Sequence, residues 1–302
     1  MKIAIVGLGK MGMQITQKLL EDGHSVIANS TSPQHTAEAG ALGATIAPQK
    51  SDVVVAFNKD EQVVLWLMIP SEAVDEALQQ WVAVLPPNSI IIDGGNSDYR
   101  LTSKRAEKLA ASGITLLDSG TSGGIHGYKN GFSMMVGGDS NTFAYVEPIF
   151  KTLAAPNGAY QHFGPSGAGH FVKMVHNGIE YGMMQSLAEG YQVLKEGPYP
   201  NLNLGQVGEV WQHGSVVTSW LNELTRDVLQ EDQELTGVDG FVAESGEARW
   251  TLETAIDMGI TLPAIQAAFD VRLASQKGEV SYATKLLAAM RNKFGGHTVN
   301  KS

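Results

Sequence analysis

Short apolar runs ending in glycine or proline alternate with amphipathic stretches through the first half of the chain. Residues 2–6 (KIAIV) are an apolar run stopped by Gly7, the pattern of a buried strand. Met13, Ile15, Leu19 and Leu20 then recur at helical spacing before Gly23, and residues 25–29 form a second strand. A short helix is predicted over 33–42, while the Val-rich core of 51–58 fits helix or strand. Residues 63–69 (VVLWLMI) make a buried strand ended by Pro70, and 71–85 a helix with Glu72, Asp75 and Glu76 near its positive end. The rhythm continues as strand 89–93, helix 98–112, strand 114–118, strand 132–136 before Gly137 and Gly138, and a helix to about residue 153.

Beyond the GPSGAG run at 164–169 the period changes. Helical patterns cover 168–195, 205–213, 218–230, 247–258, 263–275 and 281–293, with no convincing strand among them. The tail from 294 to 302 is polar and glycine-rich. Two domains are therefore expected: residues 1–164, an α/β doubly wound parallel sheet covered on both faces, and residues 165–302, all-helical.

Gly7, Gly9 and Gly12 stand in G-x-G-x-x-G spacing between the first strand and the first helix, the context of a Rossmann-type dinucleotide site. Gly7, Leu8, Gly9, Lys10, Met11 and Gly12 would carry backbone N–H groups and a helix N-terminus to a pyrophosphate. At the end of the second strand an acid would select NAD and an arginine NADP. This chain has Asn29, Ser30 and Thr31 there, side chains able to donate to a 2′-phosphate without neutralising it. The choice stays open, with a slight lean to NADP. Met68, Ile69 and Pro70, then Asn96, then Ser122, Gly123 and Gly124 lie at further strand ends, where ligands of such sheets bind.

Composition narrows the chemistry. With 302 residues, 43% hydrophobic and 17% charged, the chain is globular, and its net charge of −10 disfavours nucleic acid and anionic membrane as partners. It has no cysteine, hence no disulfide, no thiolate nucleophile and no Cys-based metal site. The eight histidines show no H-x-x-x-H spacing, so no metal site is expected. No targeting segment is visible and the longest apolar run is far below the roughly 20 residues of a membrane helix. A soluble, cytoplasmic protein is expected.

The helix from 168 onward places Lys173, His176, Asn177 and Glu180 at i, i+3, i+4 and i+7, on one face. Ionisable groups so grouped suit a reaction surface better than a packing surface. Hydride transfer from a carbinol to a nicotinamide needs a base for the hydroxyl proton. Lys173, among Phe171, Val172, Met174 and Val175, is the candidate, provided burial or cationic neighbours lower its pKa.

The string GHFVKMVHNGIEYGMMQ at 169–185 resembles the signature of the decarboxylating 6-phosphogluconate dehydrogenases. The resemblance extends to GLGKMG at 7–12, DGGNS at 93–97, SGG at 122–124 and RNKFGGH at 291–297, and the length is similar to the short bacterial form. It implies oxidative decarboxylation of 6-phosphogluconate, a phosphorylated sugar acid, in the pentose phosphate pathway. Lys173 would be the base and Glu180 the acid that protonates carbon. Asn96, Ser122, Gly123, Gly124, His176 and Asn177 would hold the carboxylate and hydroxyl end. Tyr181, Arg272 and Arg291 would hold the phosphate, with His297 completing the pocket. In the family the equivalents of Arg291 and His297 come from a neighbouring subunit, which implies a homo-oligomer, dimer or tetramer. Two departures stand out. Ser30 occupies the place where NADP-specific members carry arginine. The family's lysine-containing phosphate loop is ESGEARW at 244–250, where Ser245 and Gly246 can donate but Glu247 would repel a phosphate. The competing readings are a non-decarboxylating β-hydroxyacid dehydrogenase, similar to 3-hydroxyisobutyrate dehydrogenase, and a non-catalytic nucleotide-binding module. Glu180 separates the first pair, because only decarboxylation calls for a separate carbon acid.

Overall fold

A computed structural model describes residues 1–296. In chain order its elements begin β1 (Lys2–Val6), α1 (Lys10–Glu21), β2 (Ser25–Asn29), α2 (Pro33–Ala41), β3 (Thr45–Ile46), α3 (Lys50–Val55), β4 (Val64–Leu67), α4 (Val74–Val82), β5 (Ile90–Asp93) and α5 (Tyr99–Ala110). They continue as β6 (Thr115–Ser122), α6 (Gly127–Asn130), β7 (Ser133–Gly137), α7 (Ser140–Ala154), β8 (Ala159–Gly164) and α8 (Ala168–Glu196). The remainder is helical: α9 (Leu204–Gln212), α10 (Trp220–Glu231), α11 (Glu247–Asp257), α12 (Pro263–Ser275) and α13 (Tyr282–Gly295). Compact packing divides the chain inside α8, into a first unit, Met1–Met174, and a second from Val175 on.

In the first unit the strands form one eight-stranded sheet in the order β3-β2-β1-β4-β5-β6-β7-β8. Successive residues of each central strand enter opposite cores. Ile3, Ile5, Val64, Trp66, Ile90 and Ile92 pack with α1 and α7 on one face. Ala4, Val6, Leu65, Leu67 and Ile91 pack with α3, α4 and α5 on the other. Burial on both faces is why these strands read as unbroken apolar runs. Each fully buried large side chain contributes about 1.5–3 kcal/mol.

The sheet is mostly parallel, and it departs from the all-parallel expectation at β7, which runs antiparallel to β6. Only residues 123–132 join these strands, and they hold two short helical turns, too little chain for a parallel crossover of a dozen or more residues. β8 then pairs parallel to β7 through α7. Neither β3 nor β8 follows from apolar patterning. The first pairs two residues, and the second exposes every other residue at the sheet edge. The ambiguous stretch at 51–58 resolves as α3, where Gln49 and Asp52 close a reciprocal capping box.

In the second unit Met184, Ala188 and Tyr191 of α8 share a core with Leu204 of α9, Val228 and Leu229 of α10, and Leu286, Leu287 and Met290 of α13. Asn203, Ser219 and Ser281 cap α9, α10 and α13 by accepting from backbone N–H groups. A smaller cluster joins Tyr181 to Ala248, Leu252, Ala268 and Phe269 of α11 and α12.

One buried contact makes the first unit's stability pH-dependent. His24 lies 2.9 Å from the Thr152 hydroxyl, which in turn meets Asp22. Burial, above all, holds the His24 imidazolium pKa below its ordinary value. A depressed folded-state pKa means the neutral form's contribution is complete above about pH 6.5 and is lost as pH falls toward the folded value. Denaturant midpoints measured from pH 8 to pH 5 should therefore fall, and the fall should be shallower in His24→Gln. Equal slopes in the two proteins would contradict this.

Candidate active site

The glycine loop is shaped by contacts that exclude any larger residue. Gly7 has φ +91°, and a methyl group there would lie 2.4 Å from the Met68 carbonyl oxygen. A methyl at Gly12 would lie 2.0 Å from the Gly7 carbonyl, so α1 begins flush against the loop. Gly9 is the N-cap of α1 and supplies no side-chain cap, and the space where its Cβ would stand is open. The positive end of α1 is thus left for an anion, a fit to a dinucleotide pyrophosphate. Leu8 is buried in the core and can offer the loop only its backbone.

The neighbouring strand ends pack on the same loop. Gly94 has room only for hydrogen beside the Trp66 indole, and a methyl on Gly95 would meet the Ile69 carbonyl at 3.2 Å. This lays the turn carrying Asn96 against Met68, Ile69 and Pro70. Asp93 fixes the turn: it accepts from Gly95 N–H at 3.2 Å and from the Ser97 hydroxyl at 2.9 Å. Arg105 stands 4.0 Å behind it and is bound to Asp75 through two 2.9 Å hydrogen bonds. Sequence reasoning gave Asp93 and Arg105 no role. The signal was an acid followed directly by two glycines at a strand end.

At the end of β2 the expectation needs correction. Asn29 does not hold its amide out to a cofactor phosphate: its Nδ2 donates to the Ala47 carbonyl at 2.7 Å. The Ser30 hydroxyl accepts from Ser32 N–H at 3.2 Å, and Thr31 is exposed.

The start of α8 is fastened to the sheet. The buried Asp118 carboxylate on β6 accepts from Gly167 N–H at 2.7 Å and His170 N–H at 2.8 Å, capping the helix from another element. Gly169 lies so close to β7 that a methyl there would stand 2.3 Å from the Met135 carbonyl. His170 Nδ1 meets the Thr102 hydroxyl of α5 at 2.8 Å. One turn further, Lys173 is only 4% exposed and crosses β6 at Gly120, where a methyl would fall 2.2 Å from the Lys173 Cβ. Ser122 closes β6 two residues on, and Gly123 (φ +127°) and Gly124 (φ +50°) turn the chain away. Asp118, Gly120, Gly169 and His170 were not anticipated, because each acts through a contact distant in sequence.

The second unit carries the rest of the α8 face. His176 Nδ1 lies 2.9 Å from Asn177 Oδ1 and 3.8 Å from Glu180 Oε2, so these three polar groups form one cluster. Tyr181 is buried; its hydroxyl accepts from Ser245 N–H at 3.3 Å. The Arg272 guanidinium carbon sits 3.2 Å from the centre of the Tyr181 ring. Arg272 is 1% exposed, and its Nη1 and Nη2 have no hydrogen-bond partner among the described residues. Burial pushes its pKa down to about 10, still cationic at neutral pH, and also lowers that of Arg291. Two buried guanidiniums, one with bare edges, form a surface for an anion.

Arg291, which the resemblance implied would arrive from a neighbouring subunit, is buried within this chain, near Tyr181, Glu180 and Glu247. His297 lies outside the described residues. Among the described residues no group of three or more His, Asp or Glu could hold a metal ion, and no helix is long and apolar enough to cross a membrane.

A doubly wound sheet with a pyrophosphate loop, continued by a long helix that carries lysine and glutamate two turns apart, defines a nicotinamide-dependent oxidoreductase. Residues 2–164 match the family model of the NAD-binding domain of 6-phosphogluconate dehydrogenase, and 169–285 that of the 6-phosphogluconate dehydrogenase C-terminal domain. The chain belongs to the 6-phosphogluconate dehydrogenase family. It is 38% identical over 301 residues, the full length of both chains, to a Bacillus subtilis protein provisionally named as 6-phosphogluconate dehydrogenase YqeC. It is 36% identical to the NAD(+)-dependent, decarboxylating enzyme of Haloferax volcanii, over 99% of this chain and 98% of that one. The Plasmodium falciparum 6-phosphogluconate dehydrogenase, solved with NADP+ and with 6-phosphogluconate, superposes with a TM-score of 0.83 at 29% identity. That match covers 92% of this chain but 63% of the longer one.

Because Gly120 leaves room only for the Lys173 stem, Gly120→Ala should displace the lysine. Turnover is expected to fall on the order of 100-fold, as for a misplacement of about 1 Å. Dinucleotide affinity, measured by fluorescence titration, should change less than about threefold. Unchanged turnover would show that Lys173 needs no such placement.

Proposed function

We propose that the chain oxidises and decarboxylates 6-phosphogluconate to ribulose 5-phosphate and CO2, with NAD as the hydride acceptor. The observation that carries this reading is a buried lysine and a glutamate seven residues apart on one helix, with the buried Arg272 stacked on the next residue, Tyr181. A lysine alone would serve any hydroxyacid dehydrogenase. Glu180 and the paired arginines are what a phosphorylated β-hydroxy acid that loses CO2 would use.

Lys173 takes the proton of the C3 hydroxyl as hydride leaves C3. Lys173 is buried where α8 crosses β6 at Gly120. When bound, the nicotinamide supplies hydride acceptance. The resulting 3-keto acid loses its carboxylate as CO2, and the freed electron pair forms the C2–C3 double bond while Lys173 returns its proton to the C3 oxygen. Glu180 then protonates the former C2, which becomes C1 of the product, and Lys173 accepts the enediol proton as the ketone forms. Asn96, Ser122, Gly123, Gly124, His176 and Asn177 would orient the carboxylate and hydroxyls, and Tyr181, Arg272 and Arg291 the phosphate.

The β2 end supports NAD over NADP. With its N–H donors directed to the Ala47 and Pro48 carbonyls, Asn29 can offer a ligand only its carbonyl oxygen. An acceptor suits a ribose hydroxyl and not a phosphate, and residues 29–34 include no lysine or arginine. A dimer was expected from the trans supply of Arg291 and His297. The same resemblance supports a homo-oligomer, dimer or tetramer.

Purified protein given 6-phosphogluconate and NAD should release CO2 and reduced cofactor in equal amounts, with NADP used less well. Glu180→Gln should lower turnover by 100-fold or more while changing substrate KM little, on the scale of a lost general acid, about 10²–10⁴. Cofactor reduction without CO2 would leave only a hydroxyacid dehydrogenase. Full turnover in the variant would remove Glu180 from its role.

A further inference from the structure

The glycine turn that follows β6 is gripped from outside by the helix that opens the dinucleotide loop. Gln14, Gln17, Lys18 and Glu21 stand at i, i+3, i+4 and i+7 on α1, in one stripe beside the buried Ile15 and Leu19. The stripe meets residues 125–128. Gln14 holds backbone with both ends of its amide: Nε2 donates to the Ile125 carbonyl at 3.2 Å, and Oε1 accepts from Tyr128 N–H at 3.0 Å. Lys18 Nζ donates to the Tyr128 carbonyl at 3.1 Å. The Tyr128 hydroxyl accepts from Gln17 at 2.9 Å and donates to Glu21 at 2.7 Å. The N–H, the carbonyl and the hydroxyl of Tyr128 are thus all engaged by α1.

The turn needs such a grip. Gly123 and Gly124 both have positive φ, and glycine backbone has the most freedom to lose on being fixed. Packing supplies part of the restraint. A methyl on Gly123 would stand 3.2 Å from the Phe132 ring, and one on Gly127 2.0 Å from it. Apolar contact of this kind fixes how deep the turn sits and is not directional. Hydrogen bonds are directional, and the Gln14 amide satisfies a carbonyl and an N–H in register only at one position of the turn along α1. That position is passed inward. His126 N–H donates to the Gly123 carbonyl at 3.1 Å, and Gly127 N–H donates to the Gly124 carbonyl. A shift of residues 125–128 therefore carries Gly123 and Gly124 with it.

We propose that Gln14 is a positioning residue for the substrate: it sets the Ser122–Gly124 turn against α1, so that the helix facing the dinucleotide and the turn facing the sugar acid are held as one piece. This rests on the reading of Ser122, Gly123 and Gly124 as groups that bind the carboxylate and hydroxyl end. Gln14 follows the Gly9 N-cap by little more than one helical turn, so the placement it enforces is referred directly to the pyrophosphate loop. A contact that only fastened a surface loop would add stability and leave substrate affinity alone. A contact that places the turn must show in substrate KM.

Steady-state kinetics with 6-phosphogluconate and NAD separate the two, measured on the full chain at a temperature where every variant is folded. Gln14→Met keeps the length and helix preference of the side chain and can form neither bond. Its KM for 6-phosphogluconate should rise roughly tenfold, as for the loss of two modest hydrogen bonds. Turnover at saturation and the NAD dissociation constant should each change less than about threefold. In Gln14→Met combined with Ser122→Ala, the rise in KM should be smaller than the product of the two single effects, because both act on one turn. Wild-type KM in Gln14→Met overturns the inference, whatever the variant's stability, and leaves the functional reading standing. An equal loss of NAD affinity, or fully multiplicative effects in the double variant, also overturns it. A wild type that does not act on 6-phosphogluconate would overturn the functional reading and the inference together.

Discussion

A buried carboxylate facing the N-terminus of a 29-residue helix is the contact on which the site depends. Asp118 projects from the middle of the sheet and accepts two N–H groups that the first turn of α8 could not satisfy within the helix. Charge-assisted bonds to a helix N-terminus gain from the helix dipole as well as from geometry. The bonds also fix the rotation of α8 about its axis, because only one setting brings both N–H groups to one carboxylate. Gly169 against Met135 fixes its height above the sheet, and Gly120 under Lys173 fixes the point where the lysine crosses β6.

The two ends of the proposed chemistry are built by opposite devices. Around Lys173 and the dinucleotide loop, glycines remove side chains so that backbone can approach closely, and function is gained by leaving space. Around Tyr181 the chain buries two arginines at evident desolvation cost and leaves the edges of Arg272 bare. Such a cost is retained where a ligand will offset it.

The sequence carried most of the central architecture because both faces of β1, β4 and β5 are buried, which forces unbroken apolar runs bounded by glycine. The signature helix was legible for another reason: Lys173, Asn177 and Glu180 are polar where packing would demand apolar residues. What escaped was whatever depends on contact across the fold. The reversal at β7 follows from a short connection, β3 is two residues long, and β8 lies at an edge with polar alternation. Asp118 looked like any strand-end acid, Gly120 like any glycine, and the role of Asn29 changed once its partner proved to be Ala47. Arg272 and Arg291 were legible only through the family resemblance, since nothing in local spacing brings α12 and α13 to Tyr181.

The most direct test of the account is the turnover of Asp118→Asn alongside its stability. An amide can accept only on its oxygen and would turn an N–H donor toward an N–H of α8, at a cost of about 1–3 kcal/mol in unfolding free energy. If Asp118 sets the placement of Lys173, turnover at a temperature where the variant is fully folded should fall on the order of 10–100-fold. A folded variant with lowered stability but wild-type turnover would contradict the claim that this contact positions the site.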